Sequence, residues 1–396
     1  MSRTIGTVAR GVRAPIFRQG DDVVSITADT VANALAEEGI APRDKDVVAI
    51  TESVVARCQG NYATVRQIAA DVRAKTGGKT VGVTFPILSR NRFSLLLSGI
   101  ASGAEKIVLL LSLPSDEVGN HLVSMDQLDE AGVDPFRDVL TLEQFRSHFG
   151  SVIHPFTGVD YVDYYQHIIQ EAGAQAEIVF SNRVQSILPY TDTVICCDIH
   201  TRQRSKRLLK AAGAEKVYGL DEIMNASIDG SGFNADYGLL GSNKATEEKI
   251  KLFPRNGQVF VDTVAAKLRE ATGKNIEVMI YGDGAFKDSV GKVWELADPV
   301  ISPAYTPGLE GTPNELKLKY LADNDFASLQ GEELREAIVE SIRRKDGDLK
   351  GSMASQGTTP RKLTDLIGSL CDLTSGSGDK GTPIVWIQGY FDNYAK

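Results

Sequence analysis

The sequence predicts an α/β fold, and three observations predict it. Short β-rich runs alternate with helical stretches along the whole chain, charge or glycine bounds the runs, and the length permits a large buried core. The 396 residues are 42% hydrophobic and 24% charged, with 37 glycines and 14 prolines. That composition excludes collagen, coiled coil and general disorder, and a chain of this length needs no disulfide or metal staple to fold. Such alternation implies mostly parallel strand pairing.

The elements follow from the amino terminus onward. Asp46 to Thr51 is an apolar run closed by charge and reads as a strand. Tyr62 to Lys75 carries Val65, Ile68, Ala69 and Val72 at helical spacing. Thr80 to Phe85 returns as a strand, followed by strand Lys106 to Leu111, helix Tyr161 to Gly173 and strand Ala176 to Phe180. Strand Thr193 to Asp198, helix Arg202 to Gly213 and strand Lys216 to Tyr218 continue the rhythm. Residues 229–243 are glycine-rich and small, which makes them a shaped loop. Helix Val259 to Thr272 stops at Gly273, and strand Ile276 to Tyr281 ends in Gly282-Asp283-Gly284. A polar helix, Gly331 to Lys345, precedes the glycine–serine stretch from Thr374 to Thr382 and the closing strand Pro383 to Gln388. No internal repeat is visible.

Lys and Arg number 43 against 52 Asp and Glu, a net charge of −9, so neither nucleic acid nor an anionic membrane is expected as a partner. Cys58, Cys196, Cys197 and Cys371 form no C-x-x-C pair and read as reduced core thiols. The five histidines lack zinc-ligand spacing. Arg3, Arg10, Arg13 and Arg18 interrupt the first twenty residues, leaving no signal-peptide core. The longest apolar runs, such as Ile107 to Leu111, are far short of the ~20 residues that span a bilayer. A cytoplasmic location is expected.

Several constellations could carry chemistry. The stretch Gly284 to Val293 tempts a P-loop reading, but Phe286 stands where glycine is needed and Val293 where Ser or Thr is needed. Asp283, between two glycines at a strand end, is either a turn aspartate capping its own backbone or a carboxylate ligand for Mg2+ or Mn2+, since hard cations take oxygen donors together with phosphate. Asp236, in the glycine-rich loop, is its natural partner. The basic run from Arg202 to Lys210 is either a solvated helix face or an anion site, with Thr201 as cap and Arg202 or Arg204 reaching a phosphate or carboxylate. The segment from His154 to Tyr165, where aromatics sit beside acids, is either core packing or a cofactor box. No Ser/His/Asp or Cys/His arrangement suggests a nucleophile.

Four pieces, in order, resemble the coenzyme F(420)-0:gamma-glutamyl ligases. Gly20-Asp21-Asp22-Val23 followed by Lys45 to Gly60 resembles P-x-x-x-G-D-D-L and G-D-V-x-V-x-T-S-K-V-V-S-K-x-E-G. Ala235 to Asn243 resembles A-N-A-G-I-D-x-S-N, and Thr272 to Asp283 resembles T-G-x-x-V-x-V-I-I-S-D. Gly381 to Tyr390 resembles G-x-P-V-x-x-x-R-G-Y. The matches cover about half the chain. Relative to shorter members, residues 84–227 look like an inserted α/β subdomain within a ligase-like core of 1–83 and 228–396.

The resemblance implies a non-P-loop mixed α/β fold in an intertwined homodimer. It also implies an amide-forming reaction in which GTP or ATP and Mg2+ or Mn2+, with K+ as a further candidate ion, activate a carboxylate as an acyl phosphate for attack by L-glutamate or another amino acid. By position, Arg57 replaces a lysine that touches nucleotide phosphate, and Asp283 matches a metal-binding aspartate. Nucleotide contacts are implied at Asp21, Ser53, Arg57, Ser242 and Asn243, and substrate binding by the insertion is expected at Arg202 and Arg204. Three positions depart from the pattern: Leu240 replaces a metal aspartate, Ser53 a lysine and Gly284 a threonine. Asp236 is the carboxylate expected to stand in for the one lost at Leu240. The alternative is a catalytically lapsed homologue that binds a nucleotide or metabolite and regulates.

Overall fold

The structure, a computed structural model, describes residues 4–155, 157–284, 298–349, 351–355, 361–375 and 378–395. The P-loop-like stretch lies outside these residues from position 285 onward. The chain opens with β1 (Val8–Val12), α1 (Val23–Glu37), β2 (Val47–Thr51), α2 (Glu52–Cys58), β3 (Tyr62–Thr64) and α3 (Val65–Thr76). It continues through β4 (Thr80–Thr84), α4 (Ser94–Ser102), β5 (Lys106–Leu111), α5 (Met125–Ala131), β6 (Leu140–Thr141), α6 (Leu142–Phe149), α7 (Tyr161–Glu171) and β7 (Gln175–Phe180). Next come β8 (Thr193–Cys196), α8 (Arg202–Ala211), β9 (Lys216–Gly219), β10 (Asn243–Lys244) and β11 (Lys249–Lys251). The last part holds α9 (Gly257–Thr272), β12 (Glu277–Tyr281), β13 (Ala304–Tyr305), α10 (Gly331–Arg344), α11 (Leu363–Thr374) and β14 (Ile384–Gln388).

A five-stranded sheet runs β1-β14-β2-β12-β13. Its middle strands β2 and β12 are parallel, with Val47 opposite Glu277 and Thr51 opposite Tyr281. Successive side chains of a strand point to opposite faces, and both faces here are covered. Val48, Ile50, Val278 and Ile280 pack against Val31 of α1 and Val261 and Leu268 of α9. Val47, Ala49, Met279 and Tyr281 pack against Ile367 and Cys371 of α11. The expectation of mostly parallel pairing fails in this sheet, because β14 lies antiparallel between β1 and β2. Alternation along the sequence reports neighbouring βα units, and a strand returning from the far end of the chain escapes it.

The parallel expectation holds in a second sheet, ordered β6-β7-β5-β4-β8-β9, in which only the two-residue edge strand β6 is antiparallel. The chain winds outward from β4 through β5 to β7, then crosses back to β8 and β9 on the other side of β4. That is a doubly wound sheet with its switch point between β4 and β8. Ile107, Leu109 and Leu111 face one core, and Val108 and Leu110 the other. The tyrosines that open α7 are core: Tyr161 and Tyr165 are buried, and Tyr165 meets Phe93 edge to face at 5.6 Å. The thiols are free and buried, and burial pushes Cys58 up to about 11 and Cys196 up to about 12. Among the described residues no helix is long and apolar enough to cross a membrane.

A third sheet, β10-β11-β3, joins the two units. Here the helix expected from Tyr62 begins at Val65 instead. Thr64 accepts the N–H of Gln67 and Gln67 returns a bond to the Thr64 N–H, a capping box that fixes the start, while Tyr62–Thr64 pairs with β11. The core under the six-stranded sheet draws residues from outside 84–227: Ile68 and Val72 of α3, and Leu239, Leu240, Ile250 and Leu252.

In that core α3 packs on α4 so tightly that a Cβ on Gly99 would lie 2.7 Å from Ile68 Cγ2. Gly99→Val should therefore lower unfolding stability by about 1–3 kcal/mol through overpacking. In chemical denaturation, adding Ile68→Ala should recover part of that loss, and strictly additive losses would show that the two helices do not pack through this pair.

Candidate functional site

Parallel pairing of β2 and β12 brings their carboxyl ends side by side, the edge where open parallel sheets place ligands. Glu52 opens α2 directly after β2, and Gly282-Asp283-Gly284 follows β12. Two further carboxylates fold over this edge. Asp298 accepts the N–H of Asp283 at 3.0 Å, and Asp372 of α11 accepts the N–H of Gly284 at 2.9 Å. Gly282 is needed here because a Cβ would lie 2.4 Å from Asp298 Oδ2. Cations arrive from the other two sheets. Lys251 of β11 lies 2.6 Å from Glu52 Oε1, with both side chains buried. Arg92, between β4 and α4, places Nη1 2.6 Å from Asp298 Oδ1 and Nη2 against Asp283 Oδ2.

Among the described residues four carboxylates thus face two cations. Burial pushes Glu52 up against the pull of Lys251, and burial followed by the charge of Asp298 pushes Asp283 up to about 7 against the pull of Arg92. Burial also raises Asp372. Burial works against the charge of Arg92, but Asp298 and Asp283 hold the guanidinium firmly protonated. Glu52 Oε2 is buried with no hydrogen-bond partner. An excess of hard oxygen donors, one of them orphaned, fits a divalent cation of the Mg2+ or Mn2+ kind, which binds through one or two carboxylates and completes its shell with water and phosphate. Among the described residues no group of three or more His, Cys, Asp or Glu is placed to hold a metal ion, so a cation here would rest on the pair Asp283 and Asp298 and take the rest of its shell from water and phosphate.

Beside this edge lies a cavity of about 1080 Å3, lined among others by His200, Tyr237, Gln258, Tyr305, Arg361 and Lys362. Ser369 belongs to its wall, and its Cα would stand 3.0 Å from a Cβ on Gly284. The cavity and the carboxylates therefore adjoin.

The residues singled out by sequence fall in different places. Asp283 is central. Ser53 follows Glu52 in the first turn of α2, half-buried. Arg57 is exposed in the last turn of α2, and Asp21 is near that same end, since Gly20 N–H donates to Cys58 O at 2.8 Å and the charge of Asp21 acts on the Cys58 thiol. Ser242 is buried, donates to Leu239 O at 2.6 Å and shares a cavity of about 20 Å3 with Arg92 and Leu240. Asn243 pairs with Lys251 across the small sheet. Asp236 is exposed on the loop, its N–H donating to Asn234 Oδ1. The carboxylate that the structure sets against Asp283 is Asp298, which accepts its N–H.

Arg202 Nε lies 3.2 Å from Asp221 and Arg204 is exposed. The start of α8 does collect an anion, but one from this chain. Glu117 accepts the N–H groups of Ile199, His200 and Thr201 at 2.7 to 3.1 Å. Thr201 spends its hydroxyl on Asp198 rather than capping the helix. Sequence reasoning missed Glu52, Arg92, Lys251, Asp298 and Asp372. For Arg92 the available signal was a charged pair, Arg90 and Arg92, in the loop after a central parallel strand.

Together these features define a mixed α/β protein whose site gathers carboxylates at a strand-pair edge and borrows its cations from neighbouring sheets. The chain matches the family model described as F420-0:gamma-glutamyl ligase over residues 11–389 and belongs to that family, which makes a ligase role the coarse assignment. The bounds of the match enclose residues 84–227. No curated protein matches the chain.

The buried Lys251–Glu52 pair makes a sharp prediction. Lys251→Met should cost about 3–5 kcal/mol at pH 7, because an uncompensated carboxylate stays buried. Glu52, already raised, rises further without Lys251, so the folded state holds its proton more tightly and the cost should shrink as pH falls and Glu52 protonates. Denaturation at pH 5 and pH 7 tests the sign; an equal cost at both would mean that charge is not the cause.

Proposed function

We propose that the protein joins a carboxylate to an amine with the help of a nucleoside triphosphate, in the manner of a gamma-glutamyl ligase. The observation that carries the reading is the pair Asp283 and Asp298, shared by Arg92 and opening beside a cavity large enough for two small substrates. A carboxylate is a poor electrophile. Its oxygen attacks the γ-phosphorus, the bond to the nucleoside diphosphate breaks, and an acyl phosphate forms; the amine then attacks the acyl carbon, loses a proton and expels phosphate. Asp283 and Asp298 would hold Mg2+ or Mn2+, which supplies neutralisation of the phosphoryl oxygens when bound. Arg361 and Lys362 give the cavity wall the charge that a carboxylate substrate needs, and Asp365 and Glu310 the charge that an amine needs. L-Glutamate or another amino acid is the proposed amine donor, and GTP or ATP the phosphoryl donor. His200 brings the six-stranded unit to the cavity, which supports a part for that unit in choosing the carboxylate.

A second reading, a lapsed homologue that binds a nucleotide or metabolite, draws on Leu240. That residue is 1% exposed within the apolar core, so no carboxylate ligand comes from that position. Acceptor-dependent phosphate release across a panel of amino acids and carboxylates supports the ligase; nucleotide binding without it supports the regulator.

A homodimer belongs to the ligase reading. β1 is an edge strand, and Ile5 and Ile16 on either side of it are 67% and 85% exposed. Light scattering should give the mass of two 42.8 kDa chains; an active monomer would overturn this.

Replacing Asp283 by Asn keeps its size and removes the charge that balances a cation. Metal-dependent phosphoryl transfer should fall by ~10²-fold or more, with a melting temperature close to that of the parent. Unchanged turnover would make Asp283 a turn residue only.

A further inference from the structure

Arg92 reaches the site from the six-stranded unit, 191 positions from Asp283 and 206 from Asp298. Its backbone is presented by rigid packing. Ser89 Oγ accepts the N–H groups of Asn91 and Arg92 at 3.3 and 3.1 Å, and Ser89 N–H in turn donates to the hydroxyl of the fully buried Tyr165. The next residue, Phe93, is 1% exposed. The guanidinium gives one nitrogen to each carboxylate, so a single positive charge is divided between two negative ones. Asp298 is buried, whereas the side chain of Asp283 is 40% exposed. The pair therefore opens to solvent on the Asp283 side.

A divalent cation shared by Asp283 and Asp298 would need the place that this guanidinium fills, and it would balance both charges where Arg92 balances one. Among the described residues the displaced side chain finds little room inward. The space on its inner side, bounded by Ile87, Leu239, Leu240 and Ser242, is about 20 Å3, room for about one water molecule. Outward movement leads to the open side, where phosphoryl oxygens would approach the metal. A planar fork suits such oxygens and two neighbouring carboxylates equally well.

We propose that Arg92 is a built-in competitor of the divalent cation: it holds Asp283 and Asp298 while the metal is absent, yields them when metal binds, and then turns to the phosphoryl group of the nucleotide. This rests on the metal reading of Asp283 above. It makes the six-stranded unit part of the phosphoryl site, and it predicts that metal affinity and nucleotide affinity respond to Arg92 in opposite directions.

The test measures Mn2+ binding by calorimetry to the parent, Arg92→Met, Arg92→Lys and Asp283→Asn proteins without nucleotide, then GTP and ATP binding with Mn2+ present. Arg92→Met should bind Mn2+ about tenfold or more tightly than the parent, because its carboxylates lose the cation they share, yet bind nucleotide more weakly. Arg92→Lys, a point charge that cannot fork, should fall between the two in Mn2+ affinity. Where Arg92→Met is too unstable for calorimetry, Mn2+ should raise its melting temperature by more than it raises that of the parent. A purely structural arginine would lower stability without tightening Mn2+ binding. Equal or weaker Mn2+ binding by Arg92→Met, with binding lost in Asp283→Asn, overturns the competition and leaves the metal reading standing. Mn2+ binding that is absent from the parent, or equal in parent and Asp283→Asn, overturns both.

Discussion

A concentration of carboxylate charge behind a protein surface persists only where cations reach it, and the arrangement of this chain follows from that constraint. The parallel pair β2 and β12 ends at Glu52 and Asp283, and the chain lays Asp298 and Asp372 over the same edge. No cation of the five-stranded sheet is bonded to this group among the described residues. Lys251 comes from the small sheet and Arg92 from the six-stranded unit. Burial makes Glu52, Asp283 and Asp372 reluctant to ionise, and the two ion pairs offset part of that penalty. What remains among the described residues, an orphan oxygen on Glu52 and two carboxylates sharing one guanidinium, is an unfinished electrostatic balance that the proposed divalent ion would complete.

The same constraint explains why the six-stranded unit cannot be regarded as an appendage. Its core takes in α3 and the residues around Leu240 and Leu252, and the Gly99–Ile68 contact ties α4 to α3 at van der Waals range. The loop that carries Arg92 is anchored by Ser89, Tyr165 and Phe93 within that core, so the position of the guanidinium is set by the packing of the whole unit. His200, at the carboxyl edge of the same sheet, lines the large cavity. One unit thus contributes both to the carboxylate cluster and to the wall of the space beside it.

Much of the fold was legible in the sequence because its elements are periodic. The parallel strands of the doubly wound sheet, α7, α8 and α9 fall within a few residues of where apolar spacing places them, whereas the two-residue β6 does not show. β3 was not legible, since three residues carry no period and the helical spacing behind them runs straight through. β14 was legible as a strand but not in its direction, which is settled by a partner hundreds of residues away. In the site, Asp283 stood out because two glycines bracket it at a strand end. Glu52 did not, because an acid in the first turn of a helix already has a sufficient reason to be there. Arg92, Asp298 and Asp372 owe their importance to contacts across 88 to 206 positions, which no local pattern records. Asp236 drew attention by its place in the glycine-rich loop, where it is exposed and its N–H donates to Asn234.

We propose Asp283 and Asp298 as an open divalent-cation site at this junction of sheets. Crystals of the protein soaked with Mn2+ and measured at the manganese absorption edge would locate the ion. An anomalous peak is expected between these two carboxylates, with the Arg92 guanidinium moved off at least one of them. A peak at Asp236, or elsewhere on the chain, with Arg92 still bridging Asp283 and Asp298, would contradict it.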